Sequence, residues 1–155
     1  MTSLHHVGLT VSDLERSIAF YCAVFGAAVR ERSESDGPDI EALTGVVGAR
    51  MLTADLELEA GEILELIQYL APKAGVLAQQ RHQPGHTHIG FRVQDVDAAY
   101  ERLRAHGSTP SSRPILISES GSAWDGVRAI YACDPDGRTV ECLELPRREG
   151  GPPSA

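Results

Sequence analysis

His6 and His88 stand 82 residues apart (88 minus 6), each inside a copy of one short phrase. Leu4-His5-His6-Val7-Gly8-Leu9-Thr10-Val11-Ser12-Asp13-Leu14 returns as Thr87-His88-Ile89-Gly90-Phe91-Arg92-Val93-Gln94-Asp95-Val96, with His, Gly, Val and Asp in matching places. Each copy closes on an apolar run that carries a single glutamate, Leu64-Glu65-Leu66-Ile67 in the first and Val140-Glu141-Cys142-Leu143 in the second. Imidazole nitrogens and carboxylate oxygens together suit a divalent transition ion. An internal repeat that supplies one His and one Glu per copy therefore points to a symmetric four-ligand metal site made of His6, Glu65, His88 and Glu141. The expected occupant is one divalent ion per site, drawn from Ni, Co, Zn, Fe or Mn.

The elements that must position these groups follow from periodicity. In residues 4–11, Val7, Leu9 and Val11 alternate with His6, Gly8 and Thr10, so His6 faces away from the apolar side of a strand. Ser12, with Glu15 three residues on, reads as the cap of a helix whose apolar face holds Leu14, Ile18, Cys22 and Phe25 and which Gly26 ends. Strands over 27–34, 49–58 and 63–69 follow, with a Gly/Pro/Asp-containing stretch at 36–48 and a turn at 59–62. The second half repeats the order. A strand at 87–93 leads to Asp95 as helix cap, a face of Val96, Tyr100 and Leu103, an end at His106-Gly107, strands near 114–118 and 127–133, a turn at 134–137 and a last strand at 138–145.

These patterns predict an α+β protein of two paired βαβββ modules, residues 4–70 and 86–146, forming a curved mixed sheet with the helices outside. A linker is expected over 72–85 and a Gly/Pro-rich disordered tail over 147–155. If both sheets curl with helices outside, the two His and two Glu side chains share one concavity. Four such groups are costly to bury without a cation between them.

Composition limits the choices. At 155 residues and 42% hydrophobic, the chain fits one well-buried domain built from two half-size modules. A formal charge of −8 disfavours nucleic acid and anionic membrane surfaces, leaving a small molecule as the expected partner. No apolar stretch approaches the roughly 20 residues of a membrane span and no secretion signal opens the chain, so a cytoplasmic protein is expected. Cys22, Cys133 and Cys142 sit in apolar patterns without ligand spacing and read as reduced, buried thiols.

Other residues bear on ligand binding. Arg92 shares a face with His88 on a regular strand, where its guanidinium can grip a substrate carboxylate or pair with an acidic neighbour. Arg50 is a weaker candidate of the same kind. The loop from Ser118 to Gly126 has glycines to hinge on, and Trp124 on it can cover a ligand or simply pack. His5 reads as a packing or solvent residue. His82 and His86, in a linker without Cys, read as supporting or surface residues rather than a separate zinc motif.

Taken together, "HHVGLTVSDLERSIAFY", "LELIQYL", "HTHIGFRVQDVDAA" and "DPDGRTVECLE" resemble the vicinal oxygen chelate superfamily over residues 4–145. That superfamily includes glyoxalase I, methylmalonyl-CoA epimerase, extradiol dioxygenases and the fosfomycin and bleomycin resistance proteins. The resemblance implies the glyoxalase-like fold, a homodimer, and metal positions at His6, Glu65, His88 and Glu141. Drug-sequestering members typically lack these ligands, and the thiol transferases and extradiol enzymes use two His and one Glu. A filled set with Glu65 thus implies the glyoxalase and epimerase branch.

Within that branch, glyoxalase I usually follows its first glutamate with an Asn that helps hold glutathione. Here Leu66-Ile67-Gln68-Tyr69 follows Glu65, which argues against glutathione. The epimerase carries a second acidic base on a middle strand of its first module, and the matching stretch is read as Val46-Val47-Gly48-Ala49-Arg50, without a carboxylate. The expected activity is that of a metal-dependent isomerase or lyase. It acts on a small substrate with vicinal oxygens, with Glu141 or Glu65 taking the α-proton. The rivals are an Fe(II) extradiol-type dioxygenase and a non-catalytic drug-binding or resistance protein.

Overall fold

A computed structural model describes residues 1–76 and 80–146. Part of the expected linker, residues 77–79, and the whole expected tail, 147–155, lie outside the described residues. The elements run β1 (Val7–Thr10), α1 (Leu14–Phe25), β2 (Ala28–Asp36), α2 (Pro38–Thr44), β3 (Arg50–Glu57), β4 (Ile63–Ala71), β5 (His88–Arg92), α3 (Val96–Ala105), β6 (Ile115–Leu116), β7 (Arg128–Cys133) and β8 (Thr139–Glu144). Among the described residues no helix is long and apolar enough to cross a membrane.

The chain is an α+β protein built from two βαβββ modules. It divides into two compact units, one of Met1–His86 with Asp134–Gly137, the other of Thr87–Cys133 with the chain from Arg138 onward. In the first, a four-stranded sheet has the order β1-β4-β3-β2, with β1 parallel to β4 and the remaining neighbours antiparallel. In the second, the order β5-β8-β7-β6 repeats the scheme, with β5 parallel to β8.

The first unit's core lies between α1 and one face of its sheet. Tyr21, Ala54, Leu56 and Leu66 are fully buried, with Leu9, Leu14, Val24 and Leu64 close behind. Each such large apolar side chain contributes about 1.5–3 kcal/mol on leaving water. The buried stripe of α1 is Leu14, Ser17, Ile18, Phe20, Tyr21 and Val24, so Cys22 and Phe25 are only half-buried, in contrast to the expected face. Tyr21 sets that rotation, because its ring fills the core while its hydroxyl donates to Asp134 Oδ2 at 3.0 Å. Cys133 is likewise half-buried, and of the three thiols only Cys142 is fully inside, where burial pushes it up to about 11.

Both long helices start in the same way. Asp13 caps α1, accepting from Arg16 N at 2.9 Å, and Asp95 caps α3, accepting from Ala98 N at 2.9 Å. The expected cap Ser12 instead donates to Asp136 through its N–H (2.9 Å) and its hydroxyl. A side chain from each module's last strand takes the first helical N–H. Gln68 Oε1 accepts from Leu14 N and Glu144 Oε2 from Val96 N, both at 2.9 Å.

Three further expectations are corrected. A short helix, α2, interrupts the stretch read as irregular. Pro38 opens it, Asp39 and Glu41 face its positive end, and Gly45 at φ 68° closes it. The strand expected over 114–118 shrinks to Ile115–Leu116, and the buried face of α3 is Val96, Ala99 and Leu103, with Tyr100 half-buried. Tyr100 turns outward to stack under Arg104 and Arg113, whose guanidinium carbons lie 5.6 and 5.7 Å from its ring centre.

Candidate active site

In the first unit the strand pleat sends Leu64 and Leu66 into the core and Glu65 to the opposite face. Parallel pairing of β1 with β4 sets Glu65 opposite Gly8. His6, immediately before β1, lies two residues from Gly8, and the carboxylate reaches over that glycine to bring Glu65 Oε2 within 3.3 Å of His6 Nε2. The second unit repeats this. Gly90 is opposite Glu141, and Glu141 Oε2 lies 3.3 Å from His88 Nε2. A Cβ placed on Gly8 would stand 3.5 Å from Glu65 Oε2, and one on Gly90 3.6 Å from Glu141 Oε2, both ordinary van der Waals contacts.

The four expected ligands thus come together as two His/Glu pairs, one in each unit. Among the described residues no three His, Cys, Asp or Glu side chains gather as a metal-holding cluster. The carboxylates differ in exposure. Glu65 keeps 29% of its side-chain surface and Glu141 only 13%, while the imidazoles are 42% and 45% exposed.

The residue beside each glutamate on the adjoining strand escaped the sequence reading. Asp55 on β3 is directly opposite Glu65, and Tyr131 on β7 directly opposite Glu141. Each lies ten positions before its glutamate (65 minus 55, 141 minus 131), a symmetric hairpin spacing that the repeat itself carries. The middle strand of the first module begins at Arg50, so the stretch Val46–Arg50 lies almost wholly before it; β3 itself carries two carboxylates, Asp55 and Glu57, of which Asp55 is the one paired with Glu65. The register sets Asp55 beside Glu65 on one face of the sheet. Carboxylates and imidazole of this kind fit a divalent ion by donor type.

Tyr131 stands against the second pair, its ring 5.3 Å from that of His88 and nearly perpendicular to it. His5 supports the first pair. Its Nδ1 lies 2.8 Å from His6 Nδ1, a contact that its reading as a packing or solvent residue did not include. On the other face of the first sheet, Arg32 reaches Glu15 on α1, and this hydrogen bond holds the Glu15 carboxyl below its usual range.

The remaining candidates divide. Arg92 lies on the same face of β5 as His88 and Gly90 and is exposed. Arg50 donates to Glu34 from Nε and Nη2 at 2.8 and 2.7 Å, so it is committed to an ion pair. Trp124 is 48% exposed on the loop between β6 and β7. That loop is bonded to itself, with Gly126 N donating to Ile117 O and Glu119 N to Asp125 Oδ1, both at 2.9 Å. His82 is exposed, and the backbone N–H of His86 donates to Gln83 O at 3.0 Å.

Comparison with known proteins places this arrangement. The chain is 31% identical over 153 residues to 2-epi-5-epi-valiolone epimerase from Actinomyces sp, covering 93% of this chain and 80% of that protein. It is 30% identical over 147 residues to lactoylglutathione lyase from Haemophilus influenzae, covering 94% and 95% of the two chains. Its fold matches a glyoxalase family protein from Bacillus cereus with a TM-score of 0.79 at 20% identity, covering 93% of this chain and 94% of that one. Residues 3–142 match a family model, and the chain belongs to that family: the Glyoxalase/Bleomycin resistance protein/Dioxygenase superfamily.

Proposed function

We propose that the protein is a metal-dependent isomerase of the epimerase kind, acting on a small carbonyl compound with adjacent oxygens by removal and return of an α-proton. The observation that carries this reading is Asp55 opposite Glu65 on the face that also bears His6, because it supplies the additional carboxylate that a two-base epimerisation needs. The likeness to an epimerase over most of both chains is compatible with this reading, and the likeness to a lyase is of nearly equal identity, so the choice between them rests on Asp55. His6, Glu65, His88 and Glu141 are the residues that would hold a divalent ion, one pair from each module. Such an ion would supply Lewis acidity, which would lower the cost of breaking a C–H bond next to a carbonyl.

The chain's own groups do the rest. Glu141, the less exposed glutamate, is assigned to take the α-proton, with Glu65 able to do so when not engaged as a ligand. Asp55 is assigned as the second acid–base group, returning a proton so that the configuration inverts and the composition of the substrate is unchanged. Arg92 and Trp124 are assigned to the substrate, Arg92 as a partner for its oxygens and Trp124 as a cover.

The test is proton exchange in D2O, with 2-epi-5-epi-valiolone as the first substrate and small α-hydroxy ketones after it. Glu141→Gln is expected to slow exchange by about a hundredfold or more while substrate still binds. Asp55→Asn should abolish inversion while leaving one-sided exchange. Exclusion of oxygen should change nothing. Turnover that requires O2 would replace this reading with an oxygenase, and tight binding without exchange would replace it with a sequestering protein.

A further inference from the structure

His6 is held from two sides. Its Nε2 faces Glu65 Oε2 at 3.3 Å, and its Nδ1 lies 2.8 Å from the Nδ1 of His5, whose ring meets it edge-on with centroids 5.1 Å apart. A neutral imidazole has one N–H and one bare nitrogen, so a hydrogen bond between two Nδ1 atoms requires opposite tautomers on the two rings. Two arrangements satisfy this. In the first, His5 Nδ1–H donates to His6 Nδ1, and His6 carries its own proton on Nε2, where it donates to Glu65. In the second, His6 Nδ1–H donates to His5 Nδ1, and His6 Nε2 is a bare lone pair.

The two arrangements carry the same charge and keep the same bond between the rings. They differ in what they offer Glu65. A carboxylate facing an N–H is favourable, whereas a carboxylate facing a bare nitrogen is favourable only with a cation between them. We propose that His5 is a positioning residue whose Nδ1 switches from donor to acceptor, so that His6 can turn a bare Nε2 to a divalent cation without leaving its own Nδ1 unpaired. The proton on His5 Nδ1 passes to His6 Nδ1, the proton on His6 Nε2 leaves for water, and water returns one to His5 Nε2. The pair neither gains nor loses a proton. His5 is exposed, which gives its Nε2 access to water.

In the second module Thr87 precedes His88, and the His88 ring meets Tyr131.

The second arrangement rests on the metal-dependent reading above, and the first is a property of the metal-free protein, so the two can be tested apart. Nitrogen-15 NMR of metal-free protein at about pH 8.5, above the ordinary imidazole range, should find the proton on Nδ1 of His5 and on Nε2 of His6. Calorimetric titration with zinc alone then compares wild type with His5→Phe, which keeps a ring without nitrogens, and with His5→Asn, whose amide can accept or donate near the same place. His5→Phe should weaken zinc binding about tenfold at unchanged stoichiometry, and His5→Asn should recover most of that loss. If wild type takes up no zinc, the metal-dependent reading fails and the switch falls with it. Zinc binding by wild type that His5→Phe leaves unchanged, or that both variants weaken equally, would overturn the role of His5 alone. So would a metal-free His6 already protonated on Nδ1.

Discussion

Gly8 and Gly90 are the smallest residues of the two half-sites. Each lies opposite its glutamate in the parallel strand pair, and the carboxylate crosses above it to the imidazole two residues earlier. An alanine at position 8 would meet Glu65 Oε2 at 3.5 Å and Ile67 Cδ1 at 3.7 Å, both ordinary contacts. A branched side chain would extend past that distance and push the carboxylate aside. Gly8→Val is therefore expected to lower zinc affinity tenfold or more, while Gly8→Ala stays close to wild type. The urea midpoint of Gly8→Val should hardly move, since valine suits a strand. Zinc titration beside a urea melt checks both, and a Gly8→Val protein that binds zinc like wild type would mean that Glu65 does not need the space over residue 8.

At the scale of elements, the helix starts show what a repeat can and cannot reveal. Asp13 and Asp95 occupy matching positions, and each caps its helix by accepting an N–H three residues on. Asp13→Ala and Asp95→Ala should each cost about 1 kcal/mol, read as a lowered denaturation midpoint. The serine was the plausible reading because Ser12 and Glu15 satisfy a capping-box pattern locally, yet its side chain goes to Asp136, 124 residues away in sequence, a partner no local pattern reveals. The βαβββ sequence of elements, the matching His and Glu of each copy and Gly26 as a helix end were legible, because each depends on short-range alternation or on the repeat. Asp55 and Tyr131 were not, because the turns at 59–62 and 134–137 do not by themselves fix the register that pairs these residues with Glu65 and Glu141. The helix α2 was hidden for another reason. None of its residues is buried, so no apolar period marks it, and its Pro38 and Gly45 read equally well as loop signals.

At the scale of the whole molecule, what the modules leave incomplete becomes a prediction about assembly. One His and one Glu per unit make half of a four-ligand set, so a full site needs one half of each kind. The resemblance that assigns the ligands also implies a homodimer, and several apolar side chains are available to an interface, among them Leu43 at 79% exposed, Val47 at 86%, Ile115 at 56% and Leu116 at 60%. Sedimentation is expected to give a dimer carrying about one divalent ion per chain. A complementation experiment then locates the halves. One variant carries His6→Ala with Glu65→Gln, the other His88→Ala with Glu141→Gln, and neither should bind zinc by itself. If a site draws its halves from two copies, mixing and refolding the variants together rebuilds one intact site per mixed dimer, and zinc binding returns. If each site is made within one chain, the mixture stays empty while the wild type remains fully loaded. In the first case dilution should strip the ion and the partner together, because binding is linked to association. A wild-type protein that sediments as a stable monomer with full zinc occupancy would remove the dimer and assign both halves of the site to a single chain.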